Sequence, residues 1–219
     1  RAIVFICRHR LLGKRDAMLS GSELPVIGGL HSKRHDVPDM GFAPEPVYLI
    51  NALAQTRDPR LAARLRRVAD MLYHIDPAVS DYRFSYLHSI GYAAELLATP
   101  EAGAVAEEMM LRGEIRDQLV QRGAFVDARA TSDYIAERFA YLGLCLARGA
   151  ARCGFLSGYA RLADYLEEMR LYLARSARRE LVELLGCDHG FDRQKWIAEF
   201  ENRNADKSIR PQAFIEIID

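Results

Sequence analysis

Two long runs of apolar residues at helical spacing constrain this chain most. In the first, Ile135, Phe139, Leu142, Leu146, Ala150 and Cys153 follow at steps of 4, 3, 4, 4 and 3. In the second, Leu162, Leu166, Met169, Leu173, Ala177, Leu181 and Leu184 step by 4, 3, 4, 4, 4 and 3. A period near 3.6 puts each set on one stripe of a helix, and no strand presents such a stripe. The spacing predicts one helix over 132–153 and a second over 157–185 capped by Ser157. The short connection makes them a central antiparallel hairpin.

The same period recurs upstream, cut by capping and breaking residues. Val47, Ile50 and Leu53 share a face after Pro46. Asp58-Pro59 opens a helix with Leu61, Leu65, Val68, Leu72 and Ile75 inward. Another carries Phe84, Leu87, Ile90, Ala94 and Leu97, and Thr99-Pro100 starts the next. Gly113 predicts a bend or stop there, Gly186 closes the second long helix, and Asp192 caps a short last one around Trp196. The expected fold is therefore all-α: an irregular bundle of about six to seven helices with a long ordered N-terminal loop. The expected division is a basic segment and loop over 1–46, a helical domain over 47–203 and a tail over 204–219. At 219 residues the chain is long enough to bury a sizeable core.

The stretch Leu24–Pro46 is unlike the rest. It holds Pro25, Pro38, Pro44 and Pro46, four of the eight prolines, and the pair Gly28-Gly29. Such a stretch is irregular backbone, and a connection this long is often functional. Val26, Ile27, Leu30, Met40 and Phe42 are its expected apolar anchors, with His31 to Asp39 held out as a polar tip.

Formal net charge is zero, so no global field draws the chain to nucleic acid or to a membrane. Basic residues do collect early: seven Lys and Arg against two acidic residues in 1–35. Lys33 and Arg34 in the loop, and the stripe Arg60, Arg64 and Arg67, are the expected sites for a protein partner or an anionic ligand. Aromatics do not interleave with these cations, which argues against nucleic acid. A chain opening on Arg1 is expected to be a fragment or a processed form. Its Ala2–Cys7 apolar run, followed by Arg8, Arg10, Lys14 and Arg15, is also how a membrane span meets the cytoplasm. The four cysteines (Cys7, Cys145, Cys153, Cys187) follow no metal or disulfide spacing, so reduced, inert thiols in a cytoplasmic, membrane-proximal protein are expected.

Chemistry-bearing patterns are few. His31, His35 and Asp36, with Asp39, fall within nine residues of the loop and could serve as acid–base groups or ligands. Gly28–Arg34 lacks the spacing of a phosphate-binding loop. Asp81, Ser85, His88, Tyr92 and Glu95 step by 4, 3, 4 and 3 along one helix side, which reads first as its wet face. Cys187-Asp188-His189-Gly190 reads as a helix-ending turn whose side chains do not meet. No spacing calls for a metal or cofactor. Two functions follow. The first is a helical protein-interaction domain of a larger, membrane-associated assembly. The alternative is an enzyme whose catalytic groups, from His31, His35, Asp36 and His88, meet where the loop crosses the bundle.

Overall fold

The computed structural model describes residues 45–72, 82–120 and 134–203. The loop with His31, Lys33, Arg34, His35 and Asp36 lies outside them, as do Asp81 and the tail from 204.

Nine helices and no strands are found among the described residues. They are α1 (Glu45–Gln55), α2 (Arg60–Leu72), α3 (Tyr82–Leu97), α4 (Pro100–Met110) and α5 (Gly113–Arg116), then α6 (Tyr134–Arg152), α7 (Leu156–Tyr165), α8 (Leu171–Leu185) and α9 (Arg193–Asn202). The all-α expectation holds. The count exceeds six to seven because α4 and α5 separate at Gly113, and because the helix predicted over 157–185 is two.

Local chemistry sets most boundaries. Thr99 Oγ1 accepts from the Ala102 amide at 3.3 Å, Pro100 fills the first turn and Glu101 meets the positive helix end. Asp192 caps α9 by accepting from the Lys195 amide. Gly186 ends α8 in the left-handed region at φ 70°. Ser157 does not cap α7. Phe155 holds that position without a side-chain cap, and Ser157 instead donates to Glu107 across the α4–α7 contact.

The break between α7 and α8 is made by tertiary bonds. Glu168, fully buried, accepts from the Val120 amide at 2.9 Å and pairs with Arg170 at 2.8 Å. The Met169 amide donates to the Val120 carbonyl at 2.8 Å. Opening the helix frees backbone groups for this seam, and both halves keep their apolar faces inward. Met169 is the exception, exposed beside the buried Leu166 and Leu173.

At the centre stands α6, packed against α3, α4, α5, α7 and α8. Its Leu142, Leu146, Ala147, Ala150 and Ala151 are buried in the common core. Small residues set the crossing distances. A Cβ on Gly91 of α3 would lie 2.9 Å from the Cys145 carbonyl oxygen, and one on Gly149 2.8 Å from that of Gly91. No helix among the described residues is long and apolar enough to cross a membrane.

Candidate functional site

The close α3–α6 crossing forces a charge network into the interior. Glu95 stands one turn beyond Gly91, so it meets Arg148 next to Gly149. Arg148 Nη2 lies 3.2 Å from Glu95 Oε2, and its Nε lies 3.2 Å from Glu180 Oε2 on α8. Arg152, one turn further along α6, donates to Glu180 Oε1 and, at 2.8 Å, to Glu183 Oε2. The Glu95 and Glu180 side chains are 4% and 3% exposed, and that of Glu183 is 53% exposed. Three carboxylates therefore share two guanidiniums, mostly away from water.

That imbalance fixes the protonation chemistry. Burial pushes the Glu95 carboxyl up to about 7; Arg148 and Arg152 oppose the rise, and Glu180 and Glu183 reinforce it. The arginines, held by these carboxylates, are raised despite their own burial. Near neutral pH the network can thus take up or release a proton at Glu95.

Above Glu95 on the same side of α3 sit Tyr92 and His88, both half-buried. Gln55 of α1 donates to the Tyr92 hydroxyl, and burial followed by Glu95 raises that phenol. His88 stacks on Tyr141 of α6 with ring centroids 6.0 Å apart. Burial and the Arg148 charge lower its pKa, so the ring is neutral at pH 7. Tyr141 is hydrogen-bonded to Cys145, whose thiol burial pushes up to about 12. Cys153 is likewise pushed up to about 12 by burial, and both thiols are inert.

Over His88, Tyr92 and Glu95 the stripe on α3 is therefore not a wet face. Glu95 is 3% exposed because the glycine crossing brings α6 over it, a fact that the α3 sequence does not carry. The signals lay elsewhere: a lone acid in the apolar run Ala93–Leu97, and Glu180 at the inward spacing of Ala177 and Leu184. Of the histidines expected to form a site, His88 is placed here.

The arginine stripe on α2 divides. Arg60, with an 84% exposed side chain, is bound bidentately to Asp58. Arg64 is half-buried and Arg67 exposed.

A second grouping joins residues that the sequence reading kept apart. Cys187 Sγ lies 3.5 Å from His189 Nε2, which lies 3.5 Å from Glu199 Oε2 on α9. Between Gly186 and Gly190 the chain is not helical, so residues two apart share a side. Asp188 goes its own way, to Arg178 at 2.5 Å and to the Gly190 amide. The cysteine and histidine meet because that stretch does not turn as a helix end does.

No known family model, curated protein or solved structure compared with this chain matches it.

Proposed function

We propose that the chain is a helical protein-interaction domain that works within a larger assembly. The observation that carries this reading is a set of large apolar side chains left in water around the starts of α6 and α8. Met169, Leu171 and Tyr172 are 36%, 51% and 47% exposed, and Tyr141 is 43% exposed. Tyr172 donates to Glu137 at 2.8 Å, one turn from Tyr141, which ties both segments to one side of the bundle. Clustered exposed apolar groups are uncommon on a monomer's surface, and tyrosine and methionine are enriched where proteins meet. The test is co-purification from the source cell under matched conditions, with the Met169→Ser/Leu171→Ser double variant beside the parent. A stoichiometric partner that the parent retains and the double variant loses, at unchanged thermal midpoint, is the expected result. Equal retention by both proteins, or a parent that retains none, refutes the reading.

One observation favours the enzyme alternative: a carboxyl at about 7 two turns from neutral His88 on the same side of α3, with Tyr92 between them and Tyr141 stacked on the His88 ring. Acid–base catalysis wants groups tuned to the working pH. A hydrolase and transferase activity screen decides this, through an activity present in the parent and absent from both Glu95→Gln and His88→Ala.

A further inference from the structure

The junction of α8 and α9 brings together three metal-ligating side chains, of which Glu199 is also paired with Arg203 through Oε1. Cys187, His189 and Glu199 each offer one atom, and the three atoms lie within 4.8 Å of one another. The geometry points to a site for a divalent transition-metal ion of the zinc type, with these three side chains as its protein ligands.

Distances carry the argument. Zinc bonds run to about 2.3 Å for thiolate sulfur and about 2.0–2.2 Å for imidazole nitrogen or carboxylate oxygen. At tetrahedral angles those lengths put sulfur and nitrogen about 3.5 Å apart, and nitrogen and oxygen about 3.4 Å apart. The observed Sγ–Nε2 and Nε2–Oε2 separations are both 3.5 Å. A thiolate, an imidazole and a carboxylate form a borderline-soft donor set that suits zinc over magnesium or calcium. Three protein ligands leave a fourth position for water, the pattern of an open site.

Surrounding groups hold the ligands in place. Arg203, one turn beyond Glu199, takes its Oε1 and also donates to the Leu185 carbonyl. That leaves Oε2 turned toward His189. Trp196, fully buried, donates from Nε1 to the Gly190 carbonyl at 3.0 Å and sets its ring against His189 at 4.9 Å. Such support usually accompanies metal ligands. Cys187, His189 and Glu199 are all half-buried, so an ion can reach them from solvent. Asp188, already bound to Arg178, stands outside the set.

Co²⁺ titration of the chelator-treated full chain tests the site, with Zn²⁺ competition to give the affinity. The expected result is one equivalent of Co²⁺ with strong tetrahedral d–d bands and a thiolate-to-cobalt charge-transfer band, both bleached by Zn²⁺. Cys187→Ser should abolish the charge-transfer band, and Cys7→Ser should keep it. Glu199→Gln and His189→Gln should each weaken Zn²⁺ binding by at least about tenfold, the smallest loss expected even for a supporting residue. Far-ultraviolet circular dichroism of each variant shows whether its helices persist. Should one variant unfold, the other two and the parent spectrum still decide. The site is overturned by a weak octahedral spectrum without charge transfer, by unchanged Zn²⁺ affinity in folded variants, or by loss of the band in Cys7→Ser.

Discussion

Glu95 shows how much one residue's surroundings govern here. An exposed glutamate titrates at 4.5, and burial moves this one up to about 7. Between those pH values the folded state keeps a proton that the unfolded state has released. Stability therefore falls as pH rises from about 4.5 to about 7, and the contribution is fully present below that window. The size is on the order of 3 kcal/mol, at about 1.4 kcal/mol for each unit. Glu95→Gln should flatten this part of the stability-versus-pH curve, measured by urea midpoints at several pH values. Arg148, Arg152, Glu180, Glu183, Cys145 and His88 all stay in the variant, so the difference reads Glu95 together with its coupling to them. A parallel curve for parent and variant would place the proton elsewhere. The opposite lesion belongs to Glu180. Its carboxylate accepts from both arginines, so Glu180→Ala leaves Arg148 only Glu95 and Arg152 only the half-exposed Glu183, and should cost about 1–3 kcal/mol by urea unfolding.

At the scale of elements, helix existence was legible and helix meeting was not. The period of α6 and the caps at Thr99, Asp192 and Gly186 are local facts, and each is where the sequence places it. The α7–α8 break depends on Glu168 reaching Val120, 48 residues away, and no window of sequence contains both. Likewise Glu95 is legible as a helical residue, but its burial depends on a glycine in α6. Of the proposed metal ligands, Cys187 and His189 stood together in the sequence while Glu199 came from the next helix. Close approach also reverses a familiar rule. Gly158 of α7 lies against α6 so tightly that a Cβ would sit 2.4 Å from the Ala151 nitrogen and 2.8 Å from the Ala147 oxygen. Gly→Ala in an open helix gains about 1 kcal/mol. Here both obstacles are backbone, so Gly158→Ala should lose about 1–3 kcal/mol by denaturant unfolding. A gain would mean that α7 and α6 do not pack this closely.

Across the whole molecule, stability should be graded around α6. Its inward residues are covered by five other helices, so its amides can exchange only when most of the bundle opens. The far end is held differently. α9 rests against α7, with Trp196 as its buried anchor and with Arg193–Asp164 at 2.7 Å as a half-exposed tie. An exposed pair of that kind contributes less than about 1 kcal/mol, so the apolar contacts, Trp196 with Ile197 and Phe200 beside it, must supply most of the attachment. Native-state hydrogen exchange should therefore find two levels of opening, the lower in α9 and the higher in α6 from Leu144 to Ala150. Trp196→Ala then sharpens the test. Large core truncations of this kind cost about 3–5 kcal/mol. If α9 opens as its own unit, the variant loses protection throughout α9 while α6 keeps nearly all of its own. Equal loss of protection in α6 and α9 would instead make the bundle a single cooperative unit, with Trp196 part of one continuous core.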